Sequence, residues 1–236
     1  MKPGFDCEGR DEQLTKRYRQ ILENTPYRSP DYEIVKELGQ GGYGTVLQLY
    51  RPFSETYFAL KIYRKNKEPS MQENLVRREA ELLRKVTGCK NIVSYKGFYE
   101  NSFAIFLLME CCHHKDVRKI FSSIPVEDIS EAKVAAIIKG VLKGLQYLHD
   151  LNIAHRDIKP SNILLRINPL SSDDPLQEST AYPLEERACL GDLGLCAVLN
   201  PLTSLKAKKV CGTDGFLSPE QLKGEQYGAV ICSNSR

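Results

Sequence analysis

The stretch HRDIKPSN at residues 155–162 decides the fold class of this chain, and the triplet DLG follows later, beginning at Asp192. Asp157 places a carboxylate where it can accept a hydroxyl proton, and Lys159 places a cation two residues further on. Asn162 adds a carboxamide, and Asp192 adds a second carboxylate that can hold a metal ion. An acid, a cation and oxygen ligands in this arrangement predict a site for phosphoryl transfer.

These two stretches resemble the catalytic and metal-binding loops of eukaryotic serine/threonine protein kinases. The resemblance implies an α+β, bilobal protein-kinase-like fold, with a five-stranded N-lobe that has one helix and an incomplete, mainly helical C-lobe. It implies ATP and Mg²⁺ as cofactors, with Asn162 and Asp192 as the magnesium ligands. Asp157 is expected to accept the proton of the substrate hydroxyl, and Lys159 to neutralise the γ-phosphate. Lys159 and Thr213 favour serine or threonine over tyrosine as the acceptor.

A glycine-rich stretch, GQGGYGTV at residues 39–46, contains the pattern G-x-G-x-x-G. Dinucleotide-binding turns share this pattern, but there the glycines open a helix. Here strand-like sequences flank the glycines, which predicts a hairpin whose backbone N–H groups approach the phosphates of a nucleotide. The expected nucleotide-binding residues of this stretch are Gly39, Gly41, Gly44 and Val46.

Lys61 lies on the next predicted strand, two residues after Ala59, which is also expected to bind the nucleotide. In the kinase family such a lysine contacts the α- and β-phosphates and is oriented by a glutamate on a helix. Glu79 fits that glutamate best, and Glu81 is the runner-up in the helix predicted at residues 71–86. Two residues apart on a helix point about 200° apart, so only one of the two carboxylates can face the nucleotide.

The segment LMECC at residues 108–112 resembles the hinge between the two kinase lobes. The nucleotide contacts that the resemblance implies beyond the glycine-rich loop are Met109 as gatekeeper, the backbone of Glu110 and Cys112 at the adenine, Asp116 at the ribose, and Leu164 after the catalytic loop. The run CCHH at residues 111–114 also suggests zinc. Contiguous residues of an extended segment point alternately to opposite sides, so we reject a metal site there.

The segment between Asp192 and Glu220 resembles the activation segment of kinases and carries three candidate hydroxyl groups, on Thr203, Ser204 and Thr213. We expect an upstream activating kinase to phosphorylate Thr203 or Ser204, since nearby cations including Arg156 can neutralise an added phosphate. Thr213 is instead expected to contact Asp157. The expected partners are thus a protein substrate and that upstream kinase.

Periodicity and composition predict four segments: an N-terminal extension at 1–30 with a short amphipathic helix, the N-lobe and hinge at 31–112, a partial C-lobe at 113–227, and a divergent tail at 228–236. The helix of the extension is either docked on the domain or part of a frayed tail. Ser130 is the expected N-cap of a long helix with an apolar stripe that includes Ile138 and Leu142. The Ser-, Pro-, Asp- and Glu-rich residues 166–187 predict an insertion without regular structure.

Strand signals in the N-lobe fall at 32–38, 45–50, 57–63, 92–97 and 103–109. Two positions depart from the family pattern, since Leu193 stands where Phe is usual and Ser218 where Ala is usual. Both changes are conservative and predict no loss of chemistry. The graver departure is the tail at 228–236, which does not resemble the next helix of the family. The rival function is therefore a catalytically inactive truncated kinase that binds a nucleotide or a protein partner.

The overall composition is that of a folded protein with nearly balanced charge. The 33 basic and 30 acidic residues leave a net charge of +3, which does not indicate nucleic-acid binding. Eight cysteines without a Cys-x-x-Cys pair suggest reduced thiols. The longest apolar run, at 103–109, is too short to span a membrane, and the first residues do not resemble a signal peptide. We expect a cytoplasmic protein, with the nucleus as the alternative.

Overall fold

The computed structural model describes residues 12–41, 44–66, 70–112, 116–166, 176, 183–199 and 211–225. The chain divides into two compact units. The first comprises the described residues up to Ala80 together with Tyr95–Cys111, and the second comprises Glu81–Ser94 and the described residues from Cys112 onward. The sequence placed a single boundary at residue 112, whereas the structure groups residues 81–94 with the second unit.

Five antiparallel strands form the sheet of the first unit, in the order β1-β2-β3-β5-β4. They are β1 (Glu33–Gly41), β2 (Gly44–Arg51), β3 (Thr56–Arg64), β4 (Tyr95–Glu100) and β5 (Ala104–Glu110). The central strand β3 is rich in aromatic and β-branched residues, which fit a pleated, buried surface. The predicted five-stranded lobe and the α+β fold class are confirmed.

The fourth strand begins at Tyr95 rather than at Ile92, where the sequence placed it. Ile92 instead forms a parallel bridge with Leu190 of the second unit. Next to it, the side-chain amide of Asn91 donates hydrogen bonds to the carbonyl oxygens of Glu185 and Ala188, both at 2.8 Å. Apolar β-branched residues suit any strand partner, and here the backbone bonds with Leu190 and the side-chain bonds of Asn91 hold the segment on β8.

One face of the sheet is covered by helix α1 (Glu12–Leu22). Tyr18 and Leu22 are almost fully buried there, in a core with sheet residues that include Leu47, Leu60 and Leu108. The hydroxyl of Tyr18 also donates a hydrogen bond to that of Thr45 at 3.4 Å. Of the two alternatives for the extension, the structure therefore shows the docked helix.

The opposite face carries helix α2 (Met71–Lys85), whose Val76 is buried in a cluster with Tyr63 and Ile105. Arg77 of α2 donates two hydrogen bonds to the carboxylate of Glu100 on β4, at 3.1 and 2.7 Å. These bonds outweigh the effect of burial and, together with Lys65, lower the pKa of Glu100 to about 2. Helix α2 is thus held on the sheet by apolar packing and by ionic hydrogen bonds.

The second unit contains four helices in the described residues: α3 (Val117–Phe121), α4 (Glu131–Asp150), α5 (Leu184–Arg187) and α6 (Pro219–Leu222). Its short strands form two antiparallel pairs, β6 (Ile153–Ala154) with β9 (Ala197–Val198) and β7 (Ile163–Leu165) with β8 (Ala188–Leu190). The loop between β6 and β7 contains HRDIKPSN, and the loop between β8 and β9 contains DLG. The pairings therefore hold both loops at their ends.

The long helix α4 begins after Ser130 as predicted, but the Ser130 side chain makes no capping hydrogen bond. Its buried stripe consists of Ile137, Val141, Leu145 and Leu148. The prediction that Ile138 and Leu142 belong to the same stripe is wrong, because these side chains are 49% and 52% exposed. Each lies about 100° around the helix from its buried neighbour, so the buried stripe is narrower than the run of apolar residues.

The predicted insertion at 166–187 is partly structured. Leu176 and Leu184 are 2% and 0% exposed and pack in the core of the second unit. Helix α5 occupies the end of the segment, and Arg187 donates a hydrogen bond to the carbonyl oxygen of Arg166 at 3.0 Å. The expectation of no regular structure is therefore wrong for these residues. The mainly polar composition of the segment did not indicate that Leu176 and Leu184 are buried. Residues 167–175 and 177–182 lie outside the described residues.

Gly140→Ala and Gly144→Ala are each expected to destabilise the protein by about 1–3 kcal/mol. A methyl group at Gly144 would lie 2.6 Å from the carbonyl oxygen of Asn91, and one at Gly140 would collide with that of Glu185. Helix propensity alone favours alanine by about 1 kcal/mol, so the expected sign is the reverse of the usual one. Urea unfolding measures the change, with Ala135→Gly on the exposed face as the propensity control. Stabilisation by either alanine would contradict this packing.

The divergent tail at 228–236 lies outside the described residues, so its expected departure from the family pattern stays a prediction. Within the ranges that the structure describes, no helix is long and apolar enough to cross a membrane.

Candidate functional site

Lys61 on β3 and Glu79 on α2 form an ion pair in the first unit. The distance from Lys61 Nζ to Glu79 Oε2 is 2.6 Å, and the two side chains are 9% and 2% exposed. Glu81, the runner-up, is exposed. A buried ion pair with a short hydrogen bond fixes the ammonium group in place, and its position on the sheet is set by the docking of α2.

The strand register places further predicted residues on the same face of the sheet as Lys61. Val46 lies opposite Lys61 across β2 and β3, and Ala59 lies opposite the expected gatekeeper Met109 across β3 and β5. Residues that face each other in an antiparallel pair point to the same side, and so do residues two apart in a strand. The structure therefore brings Val46, Ala59, Lys61 and Met109 to one face. Glu110 follows Met109 as the last residue of β5.

The described glycines end β1 and begin β2, which pair antiparallel with Gly41 opposite Gly44, as the predicted hairpin requires; residues 42 and 43 are not described. Gly44 has a φ of 107°, which only glycine adopts readily, and a side chain there would collide with the backbone of Ile62. A Cβ atom at Gly39 or Gly41 would meet no atom within 4 Å. Packing thus requires glycine at position 44, whereas Gly39 and Gly41 leave open space next to the backbone.

Asp157 is the centre of a hydrogen-bonded cluster in the second unit. Its Oδ1 accepts a hydrogen bond from the Thr213 hydroxyl at 2.7 Å. Its Oδ2 lies 2.8 Å from Lys159 Nζ and accepts a hydrogen bond from Asn162 Nδ2 at 2.9 Å. Lys159 Nζ also donates to the Thr213 hydroxyl at 2.6 Å. The structure therefore brings together four residues that the sequence had singled out, including the expected contact of Thr213 with Asp157.

The protonation state of Asp157 follows from this cluster. Burial of the carboxyl raises its pKa, but the hydrogen bonds from Lys159 and Thr213 act in the opposite direction and prevail, so the pKa lies below its ordinary value. Asp157 is therefore ionised at neutral pH. A carboxylate has about four lone-pair positions, and among the described residues the Thr213, Lys159 and Asn162 donors occupy three, which leaves one for a further donor.

Asn162 and Asp192 lie at the same end of the β7–β8 pair, where Ile163 pairs with Leu190. The amide nitrogen of Asn162 donates to the backbone and the carboxylate of Asp157, at 2.8 and 2.9 Å. Because the nitrogen is used in this way, Oδ1 is the atom of Asn162 that can ligate a metal. Gly191 N donates to Asn162 O at 2.9 Å, which places Asp192 directly after a residue bonded to Asn162. Asp192 is half-buried, with a φ of 55°.

His155 is fully buried and stabilises the loop that contains Asp157. Its Nδ1 accepts a hydrogen bond from Asp157 N at 3.3 Å, and its Nε2 lies 3.2 Å from the carbonyl oxygen of Gly191. This pattern is that of a neutral imidazole that carries its proton on Nε2. Burial lowers the pKa of His155, which is consistent with the neutral form. His155 therefore links the two loops as a structural residue.

The lowered pKa of His155 predicts that acid destabilises the fold. Between the folded pKa and about 6.5 the unfolded chain binds more protons, so the free energy of unfolding falls by up to about 1.4 kcal/mol per pH unit as the pH drops. Urea unfolding at pH 7.5, 6.5 and 5.5 measures this slope. His155→Gln should flatten it, because His149 and the other titrating groups are common to both proteins. Parallel pH profiles would contradict the assignment.

The remaining nucleotide candidates also have defined positions. Asp116 forms an antiparallel bridge with Leu164, and its Oδ1 caps α3 by accepting a hydrogen bond from Lys119 N at 3.0 Å. Leu164 lies opposite Cys189 in the β7–β8 pair. Thr203 and Ser204 lie outside the described residues, so their expected phosphorylation stays a prediction.

Two supporting features were missed from the sequence. Ser218 and Gln221 form a capping box at the start of α6, and the side-chain amide of Gln221 donates to Cys211 O at 2.9 Å. The pattern of a serine followed three residues later by glutamine was the available signal. Arg156 Nε donates to Leu195 O at 2.7 Å, which ties the catalytic loop to the turn after DLG. No local sequence pattern predicts this hydrogen bond between Arg156 and Leu195.

A family model described as Protein kinase domain matches residues 32–231. The chain is 34% identical over 201 residues to the mitogen-activated protein kinase kinase SIPKK of Nicotiana tabacum, covering 84% of this chain and 50% of the relative. It is 30% identical over 201 residues to mitogen-activated protein kinase kinase 2 of Arabidopsis thaliana, covering 84% and 49%. It is also 31% identical over 192 residues to the serine/threonine-protein kinase pakG of Dictyostelium discoideum, covering 80% and 14%.

The chain belongs to the protein kinase family and carries a eukaryotic-type protein kinase domain. It spans about half the length of the two mitogen-activated protein kinase kinases that it matches. Members of this family use ATP and a divalent metal ion.

Proposed function

We propose that this chain is a serine/threonine protein kinase that transfers the γ-phosphoryl group of ATP to a hydroxyl of a protein substrate, with Mg²⁺ as the metal ion. The observation that carries the proposal is the Asp157 carboxylate, which Lys159, Thr213 and Asn162 hold in one orientation. One acceptor position remains on this ionised group, and it suits the O–H of an incoming serine or threonine.

The low pKa of Asp157 makes it a weak base, and this property is compatible with the reaction. Phosphoryl transfer passes through a loose transition state in which the attacking oxygen carries little developing charge. A carboxylate in such a site mainly orients the hydroxyl and receives its proton late, so position matters more than basicity. Three donors fix that position. Lys159, 2.8 Å from Asp157 Oδ2, adds a positive charge for the transferring phosphoryl group.

The donor set fits a small divalent cation. Asn162 Oδ1 and the Asp192 carboxylate are hard oxygen ligands of the kind that Mg²⁺ prefers. When bound, the metal ion neutralises negative charge on the phosphates of ATP. The chain's own contribution is to hold these two oxygen groups at the ends of β7 and β8, joined through the backbone bond from Gly191 to Asn162.

Lys61 is proposed to bind the α- and β-phosphates of the nucleotide. Its ammonium group is held by Glu79, and it lies on the sheet face that also carries Val46 and Ala59. Gly39 and Gly41 leave space for phosphate oxygens to approach the backbone. The adenine is proposed to contact the backbone of Glu110 and Cys112.

The type of acceptor residue is tested by phosphoamino-acid analysis. The chain is incubated with γ-labelled ATP, Mg²⁺ and a basic protein that contains serine, threonine and tyrosine, and the acid hydrolysate is separated. We expect label on phosphoserine or phosphothreonine, because Lys159 and Thr213 belong to the serine/threonine pattern of the catalytic region. Label confined to phosphotyrosine would overturn the proposed specificity.

Glu79→Gln is expected to lower the turnover of the kinase at least tenfold, whereas Glu81→Gln should leave it almost unchanged. Only Glu79 is buried against Lys61, and the amide that replaces it lacks the charge that holds the ammonium group in place. The matched pair lies on one helix and changes the same chemical group. Initial rates of phosphate transfer compare the variants. Equal losses in both, or a loss in Glu81→Gln alone, would show that the wrong glutamate was assigned.

A further inference from the structure

Two thiols of the second unit lie side by side. The Sγ atoms of Cys112 and Cys189 are 3.5 Å apart, although the residues are 77 positions apart in the sequence. Neither is in a disulfide bond; Cys112 is half-buried and Cys189 is fully buried in β8. We propose that this pair is a modification site at which hydrogen peroxide forms a reversible intramolecular disulfide.

The reaction begins at Cys112, because its thiol is the more accessible of the two. The Cys112 thiol loses its proton and the thiolate attacks one oxygen of hydrogen peroxide; the O–O bond breaks, the leaving hydroxide takes up a proton, and a sulfenic acid and water result. The sulfur of Cys189 then attacks the sulfenic sulfur, which forms the S–S bond and releases a second water. Two thiols and one peroxide thus give one disulfide and two waters. An added dithiol reductant restores both thiols by exchange.

The geometry requires little movement. A disulfide bond is about 2.05 Å long, so the two sulfurs must approach each other by about 1.5 Å. The backbone of Cys189 is fixed by its pairing with Leu164, and its sulfur also lies 3.5 Å from the carbonyl oxygen of Leu164. Cys112, outside any helix or strand, is therefore the partner that moves.

The neighbouring cysteine is a poor competitor. Cys111 Sγ accepts a hydrogen bond from Gln48 Nε2 at 3.4 Å in the first unit. Burial is the main cause that raises the pKa of Cys111 to about 11. Since the thiolate is the nucleophile, Cys111 reacts slowly at neutral pH. The sequence CC thus contains one thiol that lies beside another sulfur and one that accepts a hydrogen bond from Gln48.

Formation of the disulfide is expected to weaken nucleotide binding, and this expectation rests on the proposed function. The backbone of Cys112 is a proposed adenine contact, and Cys189 is paired directly with Leu164, which is an expected nucleotide-binding residue. A bond between Cys112 and Cys189 would draw the hinge residue toward β8 and change the position of its backbone. We therefore expect the oxidised protein to bind ATP at least tenfold more weakly than the reduced protein.

Mass spectrometry tests the disulfide directly. The reduced full chain is treated with a few equivalents of hydrogen peroxide in EDTA, alkylated to trap the remaining thiols, and digested with trypsin. The expected product joins the peptide at 97–115, which contains Cys111 and Cys112, to that at 188–206, which contains Cys189 and Cys196. Fragment ions must place the bond between Cys112 and Cys189. Treatment with dithiothreitol should remove the joined peptide.

Matched variants sharpen the result. Cys111→Ser and Cys196→Ser should still give the joined peptide, whereas Cys112→Ser and Cys189→Ser should lose it. Formation through Cys111 or Cys196, or no joined peptide before general overoxidation, would overturn the proposal. Titration of ATP into reduced and oxidised protein tests the consequence, and equal affinities would overturn that link. ATP binding to neither form would count against the proposed function, since the mass spectrum reports on the thiols independently.

Discussion

Asp157→Asn is expected to lower the rate of phosphoryl transfer by about 10²–10⁴-fold, the range in which a positioned acid or base usually contributes. The amide preserves the size of the side chain but accepts no proton and no longer balances the charge of Lys159, 2.8 Å away. ATP affinity should be spared, because the proposed phosphate and adenine contacts are made by other residues. Initial-rate kinetics and calorimetric titration of ATP measure the two quantities separately.

The matched control for this prediction is Asp128→Asn, which makes the same chemical change at an exposed position. Its turnover should equal that of the unaltered protein. Asp157→Asn with near-normal turnover would remove Asp157 from its assigned role. A parallel loss of ATP affinity would instead mean that the substitution disturbs the nucleotide site rather than the hydroxyl acceptor.

Lys61→Met is expected to lower turnover by about 10²–10³-fold, as removal of one preorganised electrostatic contact does in other enzymes. It has a second effect that must be separated from the first. Glu79, 2% exposed, loses the ammonium group of Lys61, and removal of one member of a buried ion pair costs roughly 3–5 kcal/mol of stability. A loss of activity in the single variant could therefore reflect unfolding.

A double variant resolves this ambiguity. Lys61→Met combined with Glu79→Leu removes both charges, so most of the lost stability should return while the activity does not. Urea unfolding and initial rates provide the two readouts, and Lys96→Met on the exposed edge of β4 is the control for loss of a lysine. Recovery of turnover in the double variant would show that Lys61 serves the fold and not the nucleotide.

The catalytic loop was predictable because its chemistry is local. Asp157, Lys159 and Asn162 lie within six positions, and a loop held between two short strands must bring them close together. The pairing of Lys61 with Glu79 rather than Glu81 needed helix geometry in addition to the family resemblance. In each case a short stretch of sequence contained nearly all the information.

The features that the sequence did not reveal depend on contacts between distant segments. Residues 81–94 belong to the second unit, and Asn91 donates hydrogen bonds there to residues more than 90 positions away. Leu176 appears as one apolar residue in a polar segment, yet it is buried in the core. The exposure of Ile138 shows the converse, because periodicity identifies apolar residues without saying how wide a face the neighbouring elements cover.

A comparison of labelling rates shows whether the site around Asp157 transfers phosphate from ATP to protein. The chain and its Asp157→Asn variant are incubated side by side with γ-labelled ATP, Mg²⁺ and a generic basic protein substrate, and the label in the substrate is counted over time. The expected result is linear incorporation by the unaltered chain, at least 100-fold above the variant, in keeping with the contribution of a positioned base. Incorporation by the folded, ATP-binding chain that does not exceed the variant would contradict it and would favour a binding module without catalysis.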